Sequence, residues 1–166
     1  MAVNKKSISQ DIVDIRLDSI RKKRYRIDGD DNRIVELNTS DLNILARAKE
    51  AYPKLLAIAQ EAFANLPEVN STAEDYDFMT DANTETVIEA LKTADSNMRQ
   101  LVDYIFDSNV SEVCAPSGSM YDPIDGKFRF EHIVDVLGAL YGTDISTEMD
   151  KVTKRVRKHT DKYVRP

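Results

Sequence analysis

Four stretches of this chain repeat apolar side chains mostly at three- and four-residue steps, and that period commits most of it to helix. In the first, Leu42, Leu45, Tyr52, Leu56, Ala59, Phe63 and Leu66 form one stripe, predicting a helix over 39–65 with Asn38 to Asp41 supplying N-cap oxygens. Pro53 lies inside it and, lacking an N–H, is expected to kink or divide the helix near Tyr52. A second helix is expected from Asn83-Thr84, with Val87, Leu91, Ala94, Met98, Leu101 and Ile105 as its inner face, ending at Asp107 to Asn109. The third stretch, from Phe128, sets Phe130, Ile133, Leu137 and Leu140 on one side and is expected to stop at Gly142-Thr143. Beyond it, Ile145, Met149, Val152, Val156 and Tyr163 predict a fourth helix with Lys and Arg on its other faces.

Ahead of the helices the period is two. Tyr25 and Ile27 alternate with Arg24 and Arg26, and Val35 and Leu37 with Ile34 and Glu36. Between them Asp28-Gly29-Asp30-Asp31-Asn32 has turn chemistry, so residues 21–38 predict a β-hairpin. Residues 11–20 fit a strand with Val13, Ile15 and Leu17 on one face, or a helix through Ile8, Ile12 and Ile15. Residues 67–81 are polar, acidic and without period, and read as a loop; residues 108–127 read as an irregular connection. The expected fold is mainly α (α+β): a four-helix-type bundle preceded by a short N-terminal β-hairpin. A basic arm or strand occupies 1–20, and a single helical domain 21–163.

At 166 residues and 42% apolar, one such domain can bury a core. A single Cys, Cys114, excludes a disulfide framework, and no apolar run approaches the roughly 20 residues of a membrane span. The start carries no apolar stretch behind its basic residues, so a soluble protein of a reducing cytoplasm is the expectation.

Charge is sorted along the chain: +5 over residues 1–26, −17 over 27–150 and +6 over 151–166. Basic ends and an acidic middle favour contact with each other, within one molecule or between neighbours in an assembly, unless both ends are simply solvated arms. The basic patch comprises Arg21, Lys22, Lys23 and Arg24, together with Lys151, Lys154, Arg155, Arg157 and Lys158. These could neutralise phosphates, but the acidic middle and the lack of interleaved aromatics argue against nucleic acid.

No pattern announces catalysis. The acidic turn from Asp28 has its Gly second, not sixth, and Thr39 where a calcium loop needs Glu. His132 and His159 lie far apart, and His132 reads as a helix residue with a satisfied ring nitrogen. Cys114 reads as a small packed hydrophobe, and Ser117-Gly118-Ser119 lacks the context of a nucleophile elbow. With no phosphate-cradling Gly motif either, the expectation is a non-enzymatic protein without cofactor or metal.

The order of these pieces resembles a known family. The hairpin around DGDDN, then ELNTSDLNILARAKEAYPKL, LVDYIFDSNVSEVCAPSGSM and FRFEHIVDVLGALYG, is similar to the tail assembly chaperones of tailed phages and prophages. Ile105-Phe106-Asp107-Ser108 stands where many of them have a Phe-Gly corner, and the basic end from Lys151 is no hallmark of the family. The resemblance implies a protein that binds the apolar, helical tape-measure protein in the bacterial host cytoplasm. It would help tail-tube subunits gather there and be absent from the finished virion, often alongside a longer frameshifted form. A homo-oligomer is compatible with this.

The expected binding surface is the third helix and its approach: Tyr104, Phe106, Phe128, Phe130, Ile133, Leu137 and Tyr141, each of which could instead be ordinary core. Two rival classes remain open. One is a minor head or connector subunit whose basic ends face DNA. The other is an inhibitor acting by acidic blockade through 74–81 and 122–131.

Overall fold

The computed structural model describes residues 22–64 and 84–164, with Thr84 and 159–164 described by backbone alone. Strands β1 (Lys23–Arg26) and β2 (Ile34–Leu37) form an antiparallel hairpin. Helices α1 (Ile44–Ala64), α2 (Thr84–Phe106) and α3 (Val110–Cys114) follow. A second hairpin, β3 (Pro123–Ile124) with β4 (Lys127–Phe128), leads into α4 (Arg129–Val164). The molecule is mainly helical with a short N-terminal hairpin, as the two periods predict. The expected arm over 1–20, Arg21 and the acidic loop at 67–81 lie outside the described residues.

The first hairpin matches its reading. Register pairs Tyr25 with Val35 and Lys23 with Leu37, and Val35 and Leu37 are fully buried. Arg33 ties this hairpin to α3: Nε donates to Val113 O at 3.0 Å and Nη2 to Cys114 O at 2.9 Å. Two carbonyls at a helix end thus gain charge-assisted partners.

Helix α1 starts later than the reading. It begins at Ile44, where the Asp41 carboxylate accepts the Asn43 N–H at 2.9 Å, and Pro53 lies inside it without dividing it. Pro53 is exposed, and so is Lys49, whose carbonyl Pro53 leaves without its helical donor. The buried face is Ile44, Ala51, Leu55, Ala59 and Ala62, whereas Leu42 and Leu45 of the expected stripe are 56% and 69% exposed. In α2 the expected face does turn inward, with Met98 and Ile105 in the core and Val102 joining them.

Residues 108–127 are not irregular. They hold α3 and the β3–β4 hairpin, whose turn is Asp125 (φ 48°) and Gly126 (φ 80°). Positive φ at both residues is the two-residue turn that Asp-Gly favours. The segment is held by α2: Arg99 donates to the carbonyls of Ser111, Ala115 and Gly118, and Asp95 accepts the Met120 N–H at 2.7 Å.

The expected third and fourth helices are one. Gly142 and Thr143 do not end α4, which runs for 36 residues, about 54 Å at 1.5 Å per residue. Gly142 keeps negative φ, and the Thr143 and Thr147 hydroxyls bond back to Ala139 O and Thr143 O at 3.1 and 3.0 Å. The polar side chains therefore follow the helix instead of breaking it. At its start, Glu131 accepts the Phe128 N–H at 2.8 Å, the backward half of a capping box.

Both long partners run opposite to α1. Arg47 of α1 donates to Ile105 O near the end of α2 at 2.9 Å. Phe128 and Phe130 beside the start of α4 meet Phe63 and Tyr52, with ring centroids 5.5 and 5.8 Å apart, while Tyr141 reaches Phe106 at 5.9 Å. No helix among the described residues is long and apolar enough to cross a membrane.

Candidate protein-binding groove

The aromatic surface expected from sequence is mostly core. Phe106, Phe130, Leu137 and Tyr141 are buried, and Phe128 and Ile133 are half-buried against them. Their bulk packs the three long helices together. Only Tyr104 is exposed, and its hydroxyl donates to Glu50 at 2.9 Å.

Beside that cluster lies an apolar groove of about 160 Å³, between the N-terminal turns of α1, the end of α2 and the middle of α4. Ile44, Leu45 and Ala48 form one wall, Ile105 and Phe106 the base, and Gly138, Tyr141, Gly142 and Ile145 the other wall. The glycines keep it open: a Cβ on either would meet nothing within 4 Å. Leu45 forms an exposed lip, and Leu42, also exposed, precedes it on the same turn. Sequence reasoning placed Leu42 and Leu45 in the core and so missed this rim.

Tyr141 lines the groove, and its Oη is the one buried side-chain polar atom without a hydrogen-bond partner among the described residues. Burial pushes its phenol up to about 12, because the phenolate would sit out of water.

The charged groups of the first hairpin are engaged in structure. Asp28 pairs with Arg33 and Asp31 with Arg26, each at 2.8 Å, and Asp30 accepts the Asn32 N–H at 2.9 Å. The acidic turn is held by its own hairpin. His132 Nε2 lies 2.8 Å from Ile124 O, as its helix reading predicts. Burial raises the Cys114 thiol to about 11, which keeps it protonated and weakly nucleophilic at neutral pH. Among the described residues no three His, Cys, Asp or Glu side chains converge as metal ligands.

The basic patch divides. Lys22 donates to Asp107 O, Lys23 pairs with Asp144 at 2.8 Å and Arg24 with Glu36 at 3.4 Å. Lys151 pairs with Glu148, while Lys154, Arg155, Arg157 and Lys158 stand exposed on the far half of α4. The Lys23–Asp144 contact puts both basic clusters at one pole of the molecule, which sequence order does not reveal. No family model matches the chain, and no curated protein or solved structure is significantly similar to it.

Proposed function

We propose that the protein is a non-enzymatic assembly chaperone that receives an apolar helix of another protein in the Leu45–Gly138–Gly142 groove. The open apolar groove with its exposed leucine lip carries this reading. Glycines that cost helix stability are tolerated where a backbone must approach closely, and here their missing Cβ atoms face empty space. Covering Leu42 and Leu45 with a docked helix is worth roughly 1–2 kcal/mol each. Such contacts are weak singly and become firm when many copies line one long client.

The resemblance to tail assembly chaperones supplies the client: a phage tape-measure protein in the host cytoplasm, along which tail-tube subunits gather. The charged exterior would keep a client soluble that aggregates alone.

Co-expression with a long apolar tape-measure protein tests the proposal. The wild type should raise the soluble yield of that client, and the complex should survive about 0.5 M salt, since its contacts are apolar. Gly138→Trp, which fills the groove, should abolish the gain while the circular dichroism spectrum stays unchanged. Equal client yield with and without the wild type would remove the reading.

A further inference from the structure

One row of residues joins the groove to the far half of α4. Gly138, Gly142, Ile145, Met149, Val152 and Val156 follow one another at steps of four, three, four, three and four, the two inward positions of a heptad. The first three line the apolar groove against α1. The last three are 52%, 44% and 52% exposed, in a stretch where every side chain from Ser146 to Lys158 is exposed. Groove wall and tail stripe are therefore one surface, hollow at its glycine end and bulky at its tail end. An amphipathic helix standing off a domain has such a stripe still to bury.

Charge along the edge of the row selects what covers it. Glu148 directly precedes Met149 and Arg155 directly precedes Val156, so one heptad apart they share one edge. The other edge holds Ser146 and Thr153, which carry no charge, and Lys151, Lys154, Arg157 and Lys158 fall on the remaining faces. An acid followed by a base on the same edge complements itself when reversed. A second copy running the other way sets its Arg155 beside Glu148 and its Glu148 beside Arg155, while the other cations stay on the outside. Glu148 also meets Lys151 of its own helix at 2.6 Å, with half of its side chain still exposed.

Size agrees with charge. In the register that pairs those charges, Met149 lies level with Val152 of the second copy and Ile145 with Val156. Gly142 and Gly138 fall level with positions 159 and 163, which the helical backbone reaches and where the sequence has His and Tyr. Large residues thus meet the two glycines, at which a Cβ would find open space. Parallel pairing instead sets each glycine opposite its own copy and Glu148 beside Thr153. Nor can one molecule fill its own groove, because the tail is the straight continuation of the groove wall.

We propose that this chain forms a two-fold antiparallel dimer through α4, the tail of each copy lying along the Gly138–Gly142 groove of the other. The paired stretch runs over residues 138–163 of both helices, about 39 Å at 1.5 Å per residue. The contact is isologous and closes at two copies. It deepens the groove reading above and rests on that groove being a seat for a helix: the tail of a second copy holds the seat, and a client must displace it.

Sedimentation equilibrium of the full chain, without client, tests it. The mean mass should rise with concentration to twice 18.8 kDa and stop there. Glu148→Arg and Arg155→Glu lie at exposed positions and should leave the circular dichroism spectrum unchanged. Each alone should weaken dimerisation about tenfold, the order of two surface ion pairs turned into repulsions. Mixed in equal amounts, the two variants should dimerise as tightly as wild type, because each mixed pair regains both contacts between opposite charges. A wild type that stays at monomer mass, a mass that passes two copies, single variants as tight as wild type, or a mixture no tighter than its components would each overturn the proposal. In client co-expression Arg155→Glu, which lies outside the groove, should capture more client than wild type, since the seat is no longer held. Equal capture would put the tail outside the groove and overturn the proposal as well. The expected masses with no client captured by any variant would remove the client reading and leave the dimer standing.

Discussion

Tyr25 and Asp144 meet across 119 residues of chain, the phenol donating to Oδ2 at 3.0 Å, and Lys23 Nζ reaches the same oxygen at 2.8 Å. This contact pins the N-terminal hairpin to α4 two residues before the stretch from Ser146 to Lys158, in which every side chain is exposed. It therefore sets the direction in which the basic tail projects, and it joins two parts of the sequence that share no local pattern.

Replacing Asp144 tests that pin. The hydrogen bond from Lys23, followed by those from Thr39 and Tyr25, holds its carboxyl below the usual carboxylate range. A depressed folded value means the stabilisation is present above the unfolded value near 4 and is lost as pH falls through the folded one. Asp144→Asn should therefore cost about 1 kcal/mol at pH 7, discounted for partial exposure, and progressively less below pH 4. Urea midpoints at pH 7 and pH 3 check the sign.

How much of this was legible in the sequence depended on which residues marked each face. Val35 and Leu37 announce a half-buried strand because a hairpin with one dry face must alternate. The inner face of α2 was legible for the same reason at helical period, since Met98 and Ile105 are large and do point inward. On α1 the marker failed. Ala59 is buried as its stripe predicts, but Ala51 and Ala62 also face the core, where small side chains let helices approach closely, and the larger Leu42 and Leu45 do not. Asp125-Gly126 carries the turn signal of a hairpin, but the surrounding Pro, Gly and Ser residues mask it as irregular chain. The groove itself is not legible, because Gly142 within a helical period reads as a stop and Gly138 as one more helix position.

Tyr141 provides a second prediction. A buried hydroxyl without a partner costs about 1–3 kcal/mol relative to a satisfied one, so Tyr141→Phe should be neutral or stabilising by up to about 1 kcal/mol at pH 7. Burial pushes the phenol up to about 12 in the folded protein, against 10.0 for a free side chain. Its contribution is thus fully present below pH 10 and lost between 10 and 12 as the unfolded state ionises first. The variant should lose stability less steeply than wild type over that window in urea titrations. An equal slope in both proteins would show that Tyr141 is not buried.

Gly118 should be irreplaceable where Gly138 is not. It adopts φ +81°, and a Cβ there would stand 2.6 Å from Asp122 Oδ2 and 2.7 Å from Arg129 Nη2. Gly118→Ala must carry the left-handed cost of about 1–2 kcal/mol and also displace the Asp122–Arg129 pair, which closes at 3.0 Å. A loss of about 2–3 kcal/mol in thermal or urea unfolding is expected, and Gly118→Asn should recover part of the backbone term.

At Gly138 and Gly142 stability and binding should part. Both lie within α4 with open space where a Cβ would be, so alanine at either adds helix propensity without a clash. Each substitution should stabilise by about 0.5–1 kcal/mol. The added methyl group narrows the groove that the two glycines hold open, so a helix seated against the α4 backbone should bind less tightly in both variants, and least in the double one. Raised melting temperature with weakened client capture is the expected pair of results. Raised melting temperature with unchanged capture would place the client elsewhere on the molecule.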